Sequence, residues 1–187
     1  MDQQVYIKRP NLIDYNANSA LMERMLREIK VCEVLRHHPQ ANIACHKGCQ
    51  VSDGRIQGIC FSKYPKSLME KANPKHLSKN QFAQECPLPK EVIDGYISGL
   101  TLGVQHLHSL GFVHNDINPS NIMLTEDETP IIIDFESCAQ IGEPLGGIKR
   151  TYEWHDEKVR IAAVSNDLEA VEEIRSWLAD ESANFKF

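Results

Sequence analysis

The sequence predicts an α+β fold in two parts, a small strand-and-helix part followed by a mostly helical one. Three observations carry this expectation. Two short apolar runs, 42–51 and 55–64, flank Ser52-Asp53-Gly54, and Asp-Gly between such runs signals a hairpin. Two longer stretches, 17–36 and 90–110, repeat apolar residues at intervals of three and four, the mark of amphipathic helices. Finally, "HNDINPSNIMLTEDETPIIIDFE", residues 114–136, sets His, Asp and Asn side chains around two apolar runs.

The elements follow in order. Val5–Lys8 alternates as a strand and stops at Arg9-Pro10, where proline ends pairing. The first helix carries Leu21, Met25, Leu26, Ile29, Cys32 and Leu35 on one face; Asn18 or Ser19 signals its start and His37-His38-Pro39 its end. After the hairpin, 64–67 reads as a linker and 67–72 as a short helix, and 73–89, with Pro74, Pro87 and Pro89, reads as a loop. The second helix ends at Gly111. Residues 141–159 are irregular, and a last helix over 166–178 is expected to be capped by Ser165 or Asn166.

The chain of 187 residues suffices for one domain or two small lobes. A net charge of -6 offers no electrostatic reason for a nucleic acid or an anionic membrane as partner. Proteins or small molecules are the expected ligands, and a polyphosphate would need local donors and metal ions. Six cysteines lie scattered without a CxxC pair, which fits a reducing, intracellular setting. Cys45, His46 and Cys49 are near neighbours but read as separate side chains rather than a metal site. The N-terminal MDQQVYIKRP lacks the apolar run of a signal peptide, and no run reaches membrane-spanning length. A soluble cytoplasmic, or nuclear, protein is the expectation.

The chemistry concentrates in 114–136. Pro119, between Asp116 and Asn121, forbids a regular helix, so both side chains are expected to project from a loop. A turn at 125–129 folds Ile131–Ile133 back on Ile122–Leu124, which brings Asp134 near Asn121. Oxygens of Asn121 and Asp134 suit one hard cation such as Mg²⁺. Asp116 is left to orient or deprotonate a hydroxyl, a layout for phosphoryl transfer.

"LHSLGFVHNDINPSNIML" followed by "IIIDFE" resembles the catalytic loop and metal-binding segment of the protein kinase family, H-R-D-x-x-x-x-N and then D-F-G. The resemblance implies a two-lobe kinase fold with a reduced N-lobe at 1–64 and a truncated C-lobe at 65–187, forming one domain. It implies ATP and Mg²⁺ as cofactors, Asp116 as catalytic base, Asn121 and Asp134 as metal ligands, and His114 as a structural residue. "VYIK" resembles V-A-I-K, which makes Lys8 the phosphate-binding lysine, and "REIKVCEVLRHHPQANI" makes Glu28 its partner. "ICFSKYPKSL" resembles the strand and hinge that bind adenine, with Lys63 and Tyr64 as main-chain contacts; Pro65 has no N–H. Thr151 resembles the threonine of the substrate-binding loop, and Asp167 the aspartate that opens a structural helix.

Four departures from the family pattern stand out. Seven residues precede Lys8, so no G-x-G-x-x-G loop covers the phosphates, and weak ATP binding and an exposed edge strand at Val5–Lys8 are expected. Asn115 replaces the arginine that receives a phosphorylated activation loop. Asn118 stands where serine/threonine kinases carry a lysine, although Pro119 favours that type over the tyrosine type. Glu136 replaces the glycine of D-F-G, a form also similar to small-molecule kinases of the choline and aminoglycoside type. The chain also stops soon after the helix near Asp167, and "TYEWHDEK" occupies the place of A-P-E. The main reading is phosphoryl transfer from ATP to protein serine or threonine hydroxyls; a non-catalytic pseudokinase scaffold and a small-molecule kinase remain as alternatives.

Overall fold

The structure is a computed structural model that describes residues 4–10, 20–75, 77–79, 81 and 88–187. Its first part is a three-stranded antiparallel sheet with one helix. Strand β1 (Val5–Lys8) pairs with β3 (Arg55–Ser62), which pairs with β2 (His46–Ser52), in the order β1-β3-β2. Asp53 and Gly54 both adopt positive φ, 51° and 71°, the conformation a two-residue turn needs to match strand twist. Helix α1 (Ala20–His37) buries Val31, Cys32, Leu35 and the carboxylate-bearing Glu28. The start signals at Asn18 and Ser19 lie outside the described residues.

Strand β4 (Lys66–Ser67) opens the second part by pairing with β6 (Ile122–Leu124), which pairs with β7 (Pro130–Ile132). The expected linker at 64–67 is therefore half strand: Lys66 and Ser67 sit opposite Leu124 and Met123. Ser67 then caps α2 (Leu68–Ala72) in a capping box with Glu70, two orphan donors satisfied reciprocally. Helix α3 (Lys90–Ser109) runs beneath, with Leu100, Val104 and Leu107 fully buried, each worth roughly 1.5–3 kcal/mol. Strand β5 (Phe112–Val113) pairs with β8 (Ala139–Gln140), a small ladder that periodicity did not reveal. Helix α4 (Val164–Leu178) begins two residues before the expected start. Its N-cap is Ala163, without a side-chain cap, and Asn166 lies inside the first turn, donating its amide to Asn115 Oδ1 and to the Ile161 carbonyl.

The two parts share one apolar core running from Val31 and Ile59 through Leu100 and Ile132 to Trp177. Residues 42–44 lace them together. Ala44 N–H donates to the Ile132 carbonyl, Ile132 N–H to the Asn42 carbonyl, and the Asn42 side chain to the Pro130 carbonyl. Among the described residues, no helix is long and apolar enough to cross a membrane.

Candidate active site

Lys8 ends the edge strand with its ammonium in a carboxylate fork. Its Nζ lies 2.8 and 2.9 Å from the two Glu28 oxygens and 2.7 Å from Asp134 Oδ1. Close approach of β1 makes this reach possible, since a Cβ on Gly58 would stand 2.7 Å from Ile7 Cγ2 and 2.8 Å from the Lys8 carbonyl. Burial works against the Lys8 charge, but the two carboxylates outweigh it and hold the ammonium above its ordinary value. Burial likewise pushes Asp134 up, and the Lys8 charge and hydrogen bond more than offset this, leaving the carboxyl below its ordinary value. Both groups are therefore charged at neutral pH.

Asp134 sits at φ 62° and caps a short 3₁₀ turn at Phe135–Ser137 by accepting from Glu136 N–H. Positive φ is tolerated by Asp, whose side chain can bond locally. Glu136, in the next position but one, lies within that 3₁₀ turn and faces Arg24 of α1 at 3.7 Å. The expected hairpin forms: Ile133 N–H donates to the Asn121 carbonyl, which sets Asp134 one residue from that link.

The loop 114–121 is held from below by Asp167 on α4. Its buried carboxylate accepts from His114 N–H, Asn115 N–H and His108 Nε2, each at 2.8 Å. His114 is fully buried, accepts the Asp116 N–H at Nδ1 and donates from Nε2 to the Ile133 carbonyl. Asn115, at φ 64°, donates to the Val113 and Ser137 carbonyls and accepts from Asn166. Asn118, also buried, caps the 3₁₀ turn at Pro119–Asn121, accepting from Ser120 and Asn121 N–H and donating to the Asp116 carbonyl and Thr151 Oγ1.

These contacts leave the Asp116 carboxylate oriented by neutral donors. Its Oδ1 accepts from Thr151 N–H at 2.7 Å, and its Oδ2 from Thr151 Oγ1 and the Asn121 amide at 3.1 and 3.0 Å. A carboxylate offers about four acceptor positions, so one remains open. The Asn121 amide nitrogen is committed to Asp116, by its carbonyl and carboxylate. Within the described residues, Asp134 accepts through Oδ1. One carbonyl-type oxygen on each of Asn121 and Asp134 thus stays available, a hard-donor pair suited to Mg²⁺ with phosphate and water. Among the described residues, no three His, Cys, Asp or Glu side chains form a metal-holding cluster.

A cavity of about 420 Å³ opens beside Lys8 and Asp134, between β1, the 61–67 segment, Met123 and Ile133. Lys63 and Tyr64 both line it. The Lys63 N–H is already donated to the Gln4 carbonyl, so of its main-chain groups only the carbonyl is left for a ligand. The structure thus gathers Lys8, Glu28 and Asp134 in one fork and Asp116 and Asn121 in one loop. Thr151, reached from a distant segment, joins them.

A family model described as protein kinase domain matches residues 2–154. The chain belongs to the protein kinase family. The mitogen-activated protein kinase HOG1 of Candida glabrata is 29% identical over 143 residues, covering 76% of this chain and 28% of that protein. The mitogen-activated protein kinase sma-5 of Caenorhabditis elegans is 29% identical over 134 residues, covering 72% and 24%. HOG1 of Kluyveromyces lactis is 27% identical over 128 residues, covering 68% and 26%. The chain therefore spans about a quarter of the length of these relatives. Against the kinase pattern, the structure explains the two asparagines physically: Asn115 and Asn118 each satisfy buried main-chain groups, where the family places cations. Sequence reasoning gave Asn166 only as a helix cap and missed His108; Asn166 meets the loop through Asn115, and His108 bears on it through Asp167.

Proposed function

We propose that this chain is one kinase domain, with a small part at 1–64 and a larger part at 65–187, that transfers the terminal phosphoryl group of ATP to a protein serine or threonine hydroxyl. The observation that carries the reading is the Lys8 ammonium shared between Glu28 and Asp134 at the mouth of the cavity. In this reading Glu28 aims Lys8 at the α and β phosphates. Adenine lies against Tyr64, whose N–H is the hinge donor, because Lys63 has spent its own and Pro65 has none. Asn121 and Asp134 would hold Mg²⁺, which neutralises charge on the phosphates when bound. Asp116 uses its remaining acceptor position to orient the substrate hydroxyl. The bond from the γ-phosphorus to the bridging oxygen breaks, the bond to the hydroxyl oxygen forms, and the hydroxyl proton passes to Asp116 as ADP departs. The relatives' names as protein kinases support a protein acceptor, and Pro119 supports the serine/threonine type. A cytoplasmic or nuclear location accords with the scattered thiols.

A second reading, a nucleotide-free scaffold, is favoured by Asn118, which lies buried as a cap and puts no positive charge beside the transferred phosphate. Two measurements separate them. Labelled phosphate should pass to protein from wild type and fall at least about 100-fold in Asp134→Ala; equal signals refute transfer. A melting temperature unmoved by millimolar ATP and Mg²⁺ would favour the scaffold.

A further inference from the structure

Lys79 lies far from Lys8 in the chain, after α2, yet it is buried, with 2% of the side chain exposed. It is fully engaged. Its three donors meet Glu173 Oε1 of α4, the Glu153 carbonyl at 2.7 Å and the Phe187 carbonyl at 3.1 Å. Aromatic rings close around it: Trp154, Phe185 and Phe187 place their centroids 4.9, 4.7 and 5.9 Å from Nζ. A desolvated cation over aromatic faces is stabilised by the ring quadrupole. Glu173 uses its second oxygen on Lys186 N–H at 2.9 Å. Residues 185–187 therefore supply one carbonyl, two rings and one N–H to a single seat.

The seat bears on the chemistry through one turn. Glu153 holds φ at 67°, a left-handed conformation that a glutamate keeps only when its surroundings hold it there, and Lys79 grips the carbonyl of that residue. The next residue, Trp154, returns its N–H to the Thr151 carbonyl, which also meets His155 Nδ1. Thr151 in turn contributes two of the three hydrogen bonds that orient Asp116. From 185–187 to Asp116, every link is a direct contact.

We propose that Lys79 is a positioning residue for Asp116, and that residues 185–187 form the strap that completes its seat and so sets the 151–155 turn. The catalytic half of this statement rests on the kinase reading; the structural half does not. Displacing the strap loosens Thr151 and with it the carboxylate that receives the hydroxyl proton.

Two variants test it in the full chain. Phe185→Ala/Phe187→Ala strips half-buried rings and leaves the ion pair, while Lys79→Met/Glu173→Gln removes both charges together so that neither is left buried alone. Hydrogen exchange read by mass spectrometry should speed at least about tenfold in the peptide spanning 151–155 in both variants, with β3 unchanged. In the same variants kcat should fall at least about tenfold while the Kd for ATP stays within about twofold of wild type, and Lys79→Arg should recover part of the loss. Exchange at 151–155 that stays at the wild-type rate in both variants, or that rises equally throughout the chain, overturns the proposal. If exchange responds as stated in a protein that transfers no phosphate, the kinase reading fails and the Lys79 seat stands.

Discussion

Replacing Asp167 by alanine tests whether α4 anchors the catalytic loop. The aspartate is fully buried and accepts from two main-chain N–H groups, of His114 and Asn115, and from the His108 ring. Leaving a buried donor unsatisfied costs roughly 1–3 kcal/mol. Two such amides, with a further contribution from His108, give a loss of about 4 kcal/mol. For a chain of this size each kcal/mol lowers the melting temperature by roughly 2–4 °C, so a drop of about 8–16 °C is expected. Urea titration followed by tryptophan fluorescence reads the free-energy loss, because Trp177 of α4 packs edge to face with Trp154 at 5.6 Å in the core. The control is Asp94→Asn, which breaks a solvent-exposed pair with Arg175 and should cost at most about 1 kcal/mol. If Asp167→Ala loses no more than the control, the anchoring argument is wrong.

Three further outcomes follow from the structure. Glu128 is held down to about 2 by hydrogen bonds from Lys71, Tyr96 and Lys66. Its folded value lies below its unfolded one, so it contributes stability above the ordinary carboxylate range that is lost as pH falls from about 4.5 toward 2. Because its side chain is 38% exposed, solvent screening limits the contribution to about 1 kcal/mol or less, and Glu128→Gln should flatten the acid limb of a stability-against-pH curve by that amount. Gly58→Ala places a methyl against Ile7 and the Lys8 carbonyl; overpacking should cost about 1–3 kcal/mol in a denaturant titration and weaken nucleotide binding by displacing Lys8, whereas unchanged binding would mean that β1 has room to shift. Asn118→Ala removes the acceptor for two N–H groups and should cost about 1–2 kcal/mol by thermal unfolding.

Much of the fold was legible because its signals are local. The Asp-Gly turn, the helical periodicity of α1 and α3 and the 122–132 hairpin each follow from a few neighbouring residues. The ends of elements were less legible where tertiary contacts decide them. Helix α4 starts at Val164, two residues early, and Asn166, a good cap in isolation, lies within its first turn and bonds Asn115. Lys66 and Ser67 look like a linker until β6 arrives to pair with them. The candidate site shows the same division. Asp116, Asn121 and Asp134 are announced by their spacing on one short stretch. Lys79 sits in a proline-rich loop and meets its partners 74 to 108 residues away, so nothing in its own neighbourhood marks it.

The two asparagines in the catalytic loop change what holds that loop together. Where the family pattern places an arginine and a lysine, Asn115 and Asn118 engage main-chain groups and neighbouring side chains without any charge. Neutral hydrogen bonds between buried groups are scarcely screened by salt, whereas exposed ion pairs are. The geometry around Asp116 should therefore persist as ionic strength rises, since its donors are Thr151 and Asn121 rather than cations. The Lys8 fork is the opposite case: Asp134 is 36% exposed on its side chain, and a charged hydrogen bond of 2.7 Å holds its oxygen to the ammonium beside the cavity. Salt should thus weaken the Lys8–Asp134 contact before it disturbs the hydrogen bonds around Asp116.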